Sequence, residues 1–206
     1  MWEKERKIVL DASWQLVKTG LVIGTQGNIS LRFSGSKGQE LVAITPSNFN
    51  YELMSVDDIV ILYLEGKQKE GKRKPSIEAG LHLGIYLNRK KVNAIVHIHS
   101  IYASVLAVAH KNIPPILDDQ VYYLGGEIKV ASHALPGSKR LVKNVVSALD
   151  FKNAVILANH GALATGDDME KALVNAQLLE RIAKIYVCSQ AIGVVNNISQ
   201  ESIGSG

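Results

Sequence analysis

Residues 93–100 have the sequence NAIVHIHS, in which a strand-like apolar run ends in two histidines. Residues i and i+2 of a β-strand face the same side, so His97 and His99 are expected to project together. Burying two imidazoles side by side is costly unless their nitrogen atoms find partners. A divalent metal provides one, because neutral imidazole is a common zinc ligand. The stretch therefore predicts a strand ending at a metal site, although such histidine pairs also occur without a metal.

A third histidine follows a second apolar run. His160 comes after the residues VILA at 155–158 and directly before Gly161. At the end of a buried strand, before a glycine turn, its side chain can point into a site at the edge of the sheet. Three histidines leave a coordination position open for substrate, as in catalytic rather than structural zinc sites. The alternative is a histidine that caps a turn.

Glu78 is the candidate carboxylate of the site. Pro75 and Ser76 predict a helix over about 76–88, with Ser76 as its cap and Glu78 in its first turn. The helix dipole stabilises an anion there, so a glutamate with no other role is the alternative. His82 lies four residues later on the same helix face and is either a packing residue or a partner of Glu78.

Two short loops contain groups that can bind an anion. The glycine loop at 24–28, GTQGN, lies between a predicted helix and a predicted strand. It is not the dinucleotide fingerprint, which connects a strand to a helix. Its backbone N–H groups can still surround an anion. The turn TPSN at 45–48 adds hydroxyl groups, but neither motif is specific by itself.

The remaining pattern predicts one mixed α/β domain. Helical spacing is clear over 3–19 and 168–192. Further helices are expected over 100–110 and 138–149, and β-rich runs occur at 28–33, 41–45, 59–64, 93–99, 128–131 and 154–158. The glycine-containing loop at 34–38 predicts a hairpin. Without an internal repeat or a linker, helices are expected to cover both faces of a largely antiparallel sheet in one domain, 1–206.

Composition excludes several classes of protein. The chain has 206 residues, of which 47% are hydrophobic and 20% charged, so a compact core is expected. The net charge of +4 suits an anionic small substrate, and no nucleic-acid motif is present. The single Cys188 excludes an internal disulfide. No apolar run has the length of a membrane span or a signal peptide, so a cytoplasmic protein is expected.

Five segments together resemble the class II aldolase/adducin family and, within it, the L-fuculose-phosphate aldolases. They occur in the order and spacing of that family and cover almost the whole chain. The segments are GLVIGTQGNISLR at 20–32, ITPS at 44–47, KPSIEAGLH at 74–82, VNAIVHIHS at 92–100 and LANHG at 157–161.

The resemblance implies a fold, an assembly and a site. The fold is a three-layer α/β/α sandwich around a central, mainly antiparallel sheet, as one class II aldolase/adducin-like domain. The assembly is a homotetramer with active sites at subunit interfaces. One Zn²⁺ per subunit, replaceable by other divalent metals, is held by His97, His99 and His160. Glu78 approaches the metal in the resting enzyme and acts as catalytic base. The residues that match phosphate contacts are Gly27, Asn28, Ser47 and Ser76.

The implied reaction is cleavage of a ketose 1-phosphate, such as L-fuculose 1-phosphate, to dihydroxyacetone phosphate and an aldehyde. Zinc stabilises an enediolate, and Glu78 transfers the proton at the adjacent carbon. One alternative is another reaction of that type, catalysed by a sugar-phosphate 4-epimerase, a decarboxylase or a dehydratase. A second alternative is a non-enzymatic scaffold, as in the adducin branch, against which the three histidines and Glu78 argue.

The chain departs from the family pattern in three places. Asp119 stands about where the fuculose enzymes have a tyrosine acid, which makes it a candidate catalytic residue. Tyr122 and Tyr123 are near that position but out of register. A phosphate-contacting glycine and a phosphate-contacting serine of the family are Asn48 and Ile77 here. The tail after Gly193 contains no tyrosine that can close over a neighbouring site.

Overall fold

The computed structural model describes residues 1–36 and 38–198, which form five α-helices and eight β-strands. The helices are α1 (Glu3–Lys18), α2 (Ala79–Asn88), α3 (Ile101–Ala109), α4 (Lys139–Leu149) and α5 (Met169–Ile192). The strands are β1 (Asn28–Ser34), β2 (Glu40–Ile44), β3 (Val60–Tyr63), β4 (Gln68–Glu70), β5 (Ala94–Ile98), β6 (Val130–Ala131), β7 (Ala154–Leu157) and β8 (Gly161–Gly166). Residue 37 of the predicted hairpin loop and residues 199–206 of the tail lie outside the described part. Within that part, no helix is both long and apolar enough to span a bilayer.

All eight strands belong to one sheet, in the order β4-β3-β2-β1-β5-β8-β7-β6. Every neighbouring pair is antiparallel except β6 and β7, which run parallel. The expected mainly antiparallel sheet is therefore confirmed. The strand β5 lies near the middle of the sheet, between β1 and β8.

Helices cover both faces of the sheet, which confirms the three-layer sandwich. The β5 residues Ala94, Val96 and Ile98 pack into a core shared with α1, α3 and α5. Ile95 packs into a second core shared with α2 and α4. Side chains alternate between the faces of a strand, so His97, in phase with Ile95, lies on the face covered by α2.

The structure differs from the sequence prediction at β8. The segment 161–166 is composed of Gly, Ala, Leu and Thr, and it was expected to begin with a turn. It forms a strand because β5 and β7 pair with it on its two sides. Tertiary pairing therefore overrides its weak strand propensity. The short strand β4 and the π-helical turn Gln120–Leu124 were not predicted either.

The start of α2 also differs from the prediction. The helix begins at Ala79, and Glu78 occupies the N-cap position, so Ser76 is not the cap and Glu78 is not in the first turn. The reason is that Pro75 forms a β-bridge with Pro46, and the Ser76 N–H donates to the Thr45 carbonyl at 3.1 Å. These contacts hold the chain extended just before the helix.

Candidate metal centre

The three predicted histidines meet at one point. The Nε2 atom of His97 lies 3.0 Å from Nε2 of His99 and 3.3 Å from Nε2 of His160. Their candidate ligand atoms all lie within 4.8 Å of one another. His97 is the last but one residue of β5, His99 lies just beyond that strand, and His160 lies in the turn between β7 and β8. The end of β5, where the chain continues into α3, and the turn between β7 and β8 thus supply the cluster.

The nitrogen atoms have the spacing and protonation of a metal site. Nδ1 of His97 lies 2.9 Å from the carbonyl oxygen of Ala162, which can only accept, so Nδ1 carries the proton. Its Nε2 therefore presents a lone pair to the other two rings. Four ligands around zinc at about 2.0–2.1 Å place neighbouring ligand atoms about 3.3 Å apart. The histidine cluster fits a divalent cation on both grounds.

Burial keeps two of the rings neutral. Desolvation, aided by the positive charge that neighbouring imidazoles would carry, lowers the pKa of His99 to about 3 and that of His160 to about 4. Glu78 opposes both shifts, but more weakly. Neutral imidazole is the form that binds metal. The rings are therefore ready to act as ligands at neutral pH.

Glu78 faces the same point from the start of α2. Its Oε2 lies 3.2 Å from Nε2 of His97 and its Oε1 lies 3.6 Å from Nε2 of His160. Burial raises the pKa of this carboxyl, but positive charge carried by the rings of His97 and His160, together with the Asn28 amide, lowers it by a larger amount, so the net pKa is below its ordinary value. In the neutral tautomer that carries its proton at Nδ1, Nε2 of His97 cannot donate to Glu78, so a cation bound between these groups would account for their approach.

Two glycines allow the backbone to pass this close to the cluster. A Cβ at Gly27 would lie 2.4 Å from the His97 carbonyl oxygen, and Gly27 has a positive φ of 70°. A Cβ at Gly161 would lie 2.5 Å from the Ile98 carbonyl oxygen and 3.1 Å from Cδ2 of His99. The two contacts with carbonyl oxygens are shorter than real Cβ atoms make, so the approach of both segments to the histidines requires glycine.

An open cavity of about 410 Å³ lies above the cluster, a size that suits a small metabolite. It brings together the predicted anion-binding residues and the metal-site residues, apart from the fully buried His97. The predicted residues that line it are Gly27, Asn28, Ser47, Ser76, Glu78, His99 and His160. Within the described chain, the buried Oε1 of Glu78 and Oδ1 of Asn28 have no hydrogen-bond partner. Such atoms are costly to leave unpaired, which indicates that they face a ligand.

Comparison with known proteins identifies the family to which this site belongs. The model of the class II aldolase and adducin N-terminal domain matches residues 7–187. The chain belongs to the class II aldolase/adducin family. The resemblance inferred from five segments is thereby confirmed over most of the chain.

Within the class II aldolase/adducin family, the chain is similar to enzymes with different substrates. It is 36% identical to the 5-deoxy-D-ribulose 1-phosphate aldolase of Bacillus thuringiensis serovar kurstaki over 191 residues, which cover 93% of this chain and 88% of that protein. It is 30% identical to the L-ribulose-5-phosphate 4-epimerase of Salmonella paratyphi B over 206 residues, covering 95% and 89%. A solved structure of an L-fuculose 1-phosphate aldolase matches with a TM-score of 0.91 and 33% identity, covering 97% and 92%.

Asp119 is not among the residues that line the cavity. It is the N-cap of the π-helical turn Gln120–Leu124, where its Oδ1 accepts from the Gln120 N–H at 2.9 Å. Its Oδ2 accepts from Nη1 of Arg181 on α5 at 2.5 Å. Tyr122 and Tyr123 follow it and are exposed. Within one class II aldolase-like subunit, therefore, the candidate acid stands apart from the metal cluster.

Sequence reasoning missed part of the cavity wall and the layer beneath it. Pro136 also lines the cavity. It belongs to the loop before α4, which passes so close to Ile77 that a Cβ at Gly137 would lie 3.0 Å from the Ile77 carbonyl oxygen. His82 is fully buried, and its Nδ1 is 2.7 Å from the Ser30 hydroxyl, which also contacts the Tyr86 hydroxyl at 2.7 Å. His82 is thus a hydrogen-bonded residue of the interior. Only its i+4 spacing from Glu78 indicated any relation to the site.

Proposed function

We propose that this protein is a metal-dependent aldolase that cleaves a ketose 1-phosphate to dihydroxyacetone phosphate and an aldehyde. The observation that carries the proposal is the convergence of three histidine Nε2 atoms, two of which also approach the Glu78 carboxylate, beneath a cavity lined by hydroxyl, amide and glycine groups. His97, His99 and His160 would hold one Zn²⁺ or another divalent metal. Bound there, the metal supplies Lewis-acid stabilisation of the negative charge that develops on substrate oxygens.

Glu78 is proposed to move the proton at the reacting carbon. Asn28 donates to Oε2 at 2.9 Å and holds one side of the carboxylate, whereas Oε1 is free of hydrogen bonds within the described chain. Oε1 is therefore the oxygen available for proton transfer. The low pKa of Glu78 makes it a weak base while it faces the histidines. Displacement by substrate raises its basicity, so the same residue can serve first as a ligand and then as a base.

The opposite part of the cavity is proposed to bind the substrate phosphate. Gly27 and Asn28 approach from the first loop, Ser47 from the turn before Asn48, and Ser76 from the segment before α2. Asn48 has a positive φ of 53°, the conformation that the corresponding glycine of the family would adopt easily. Small hydroxyl and amide side chains together with backbone N–H groups suit a phosphate.

Reaction type and substrate are tested together by a panel of sugar phosphates. We expect release of dihydroxyacetone phosphate from L-fuculose 1-phosphate or from 5-deoxy-D-ribulose 1-phosphate, in the presence of Zn²⁺. L-Ribulose 5-phosphate is the comparison substrate, because the similarity to a 4-epimerase makes epimerisation the second candidate. If the protein epimerised L-ribulose 5-phosphate but cleaved no ketose 1-phosphate, the epimerase proposal would replace the aldolase proposal.

The metal is tested separately from the reaction. Elemental analysis of purified protein is expected to give one divalent metal per subunit. Removal of the metal by a chelator should abolish turnover, and Zn²⁺ should restore it. Substitution of His97 by Ala should lower the metal content, because it removes a ligand that is fully buried. Full activity in metal-free protein would disprove the metal-dependent mechanism.

A homotetramer in the cytoplasm completes the proposal. Three apolar side chains of α3, Ile101, Val105 and Val108, are exposed at i, i+4 and i+7 and thus share one helix face. An exposed apolar stripe of this kind is typical of a surface that is covered by another subunit. Such an arrangement would let Asp119 act in the site of a neighbour. Light scattering should give the mass of four chains, and a fully active monomer would contradict it.

A further inference from the structure

The helix α3 is attached to two of the candidate metal ligands. At its N-terminal end it is separated from His99 only by Ser100. Near its C-terminal end, the Ala107 carbonyl accepts from the N–H of Asn159 at 3.0 Å, and His160 is the next residue. His110, the C-cap of α3, lies with Nε2 2.6 Å from the Asn159 Oδ1. The position of α3 therefore affects two candidate ligands, one that follows β5 and one in the turn between β7 and β8.

One carboxylate, that of Glu180 on α5, holds the N-terminal end of α3. Its Oε2 accepts from the Ser100 hydroxyl at 2.6 Å and from the Ala103 N–H at 2.9 Å. Its Oε1 accepts from the Tyr102 N–H at 3.0 Å. All three donors belong to the first turn of α3 or its cap. Glu180 is thus the acceptor for groups that the helix itself leaves unpaired.

This arrangement replaces the usual capping pattern. A serine at the N-cap normally accepts a hydrogen bond from the first turn of its own helix. Ser100 occupies the N-cap position but makes no such bond, and its hydroxyl donates to Glu180 instead. The cap of α3 is therefore supplied by a residue 80 positions later in the sequence. A negative charge there also offsets the positive end of the α3 dipole, which otherwise faces the neighbourhood of a cation.

We propose that Glu180 is a positioning residue of the metal centre, which fixes the Ser100 turn and through it the ring of His99. The proposal rests on the metal site proposed above. Glu180 has no contact with the histidine cluster, and Ser100 connects the two. Groups that hydrogen-bond directly to a metal ligand typically change metal affinity about 10–100-fold when they are altered, and Glu180 acts one residue further away, so we expect a smaller change.

The test is the Zn²⁺ dissociation constant of the whole protein, measured by competition with a chromophoric chelator. Glu180→Gln keeps the size of the side chain, but its amide nitrogen cannot accept from an N–H, so at least one of the three bonds is lost. We expect the dissociation constant to rise about 3–10-fold, less than for a direct partner of a ligand, while the far-ultraviolet circular dichroism spectrum is unchanged. Turnover should return when Zn²⁺ is raised to saturation, because Glu180 does not touch the reacting atoms.

Asp168→Ala is the matched control. Asp168 caps α5 by accepting from the Lys171 N–H at 2.8 Å, but it does not adjoin a candidate ligand. This variant should lower thermal stability and leave Zn²⁺ affinity as in the wild type. If Glu180→Gln proves insoluble, Ser100→Ala removes one of the same contacts and should show a smaller shift in the same direction.

The outcomes separate this inference from the proposed function. Wild-type affinity in Glu180→Gln, or an equal loss in Glu180→Gln and Asp168→Ala, would overturn the positioning role while leaving the metal site in place. A wild-type protein that binds no Zn²⁺ or other divalent metal would overturn both proposals. A selective loss of affinity in Glu180→Gln and Ser100→Ala supports the positioning role even before the sugar substrate is identified.

Discussion

Asn28 lies directly opposite His97 in the antiparallel pairing of β1 with β5. Both side chains meet the same oxygen atom: Oε2 of Glu78 is 2.9 Å from the amide nitrogen of Asn28 and 3.2 Å from Nε2 of His97. One residue pair of the sheet therefore sets both the orientation and the charge of the candidate base. It also connects the predicted phosphate loop to the histidine cluster.

Replacing Asn28 by Ala should move the acid limb of the pH profile of kcat/KM to higher pH. The Asn28 amide lowers the pKa of Glu78, so its removal raises that pKa. A general base loses activity as the pH falls through its pKa, and a higher pKa shifts that loss upward. Asn88→Ala, which removes an exposed amide bonded to the Gly84 carbonyl, is the control and should leave the limb unchanged. An unshifted limb in Asn28→Ala would argue against Glu78 as the titrating base.

Replacing Glu78 by Gln should lower kcat about 10²–10⁴-fold, the usual contribution of general base catalysis. Glutamine keeps the size of the side chain and removes its basicity. Steady-state kinetics at saturating Zn²⁺, with elemental analysis of the same sample, would separate the two proposed roles. Loss of metal would show that ligation is the larger role, and near-normal kcat with metal bound would remove the base assignment. Glu170→Gln, an exposed carboxylate on α5, serves as the control.

Replacing Gly161 by Ala should reduce both stability and metal affinity. The new Cβ would meet the Ile98 carbonyl and the His99 ring, so backbone or ligand must shift, at a cost of about 1–3 kcal/mol in the free energy of unfolding. Gly80→Ala is the control, because no atom lies within 4 Å of its Cβ and the site is inside α2. That change should stabilise by about 0.5–1 kcal/mol. Urea unfolding in the presence of a chelator measures the stability, and Zn²⁺ titration measures the metal affinity. If Gly161→Ala and Gly80→Ala had the same stability and affinity, the close approach of Gly161 to Ile98 and His99 would be contradicted.

The metal-free protein should lose stability as the pH falls from about 6.5 towards 4. Desolvation lowers the pKa of fully buried His82 to about 3, so its ring stays neutral in the folded protein, whereas the unfolded chain takes up a proton below about 6.5. The unfolded state then binds more protons, and unfolding free energy falls by about 1.4 kcal/mol per pH unit for this one group. His99 and His160 act in the same direction.

His82→Asn isolates this contribution. Urea unfolding between pH 7.5 and 4.5 should show a shallower pH dependence in the variant, by about one proton, even if its stability is lower throughout. The exposed His110→Asn is the comparison. Parallel curves for wild type and His82→Asn would show that His82 binds its proton equally in the folded and unfolded chain, which would contradict a lowered pKa in the folded protein.

The histidine cluster was predictable because its information is local. The two-residue period of a strand places His97 and His99 on one side, and the apolar run before His160 indicates a strand that ends at a sheet edge. The family resemblance then linked these segments to Glu78 and to the residues of the phosphate loops. The cavity is lined by all of these residues except His97, which is buried beneath it, and Asp119 does not line it either.

The sequence by itself determined the fold class, the family and the chemical character of the site, because periodicity and residue chemistry are properties of short segments. Only the tertiary structure decided which groups meet: that β8 is a strand, that Asn28 stands across from His97, that Arg181 holds Asp119, and that Glu180 caps α3. The pairs Asn28–His97, Asp119–Arg181 and Ser100–Glu180 each join residues that are 62–80 positions apart in the sequence. Such contacts depend on how all the elements pack together, and no local pattern of the chain encodes them.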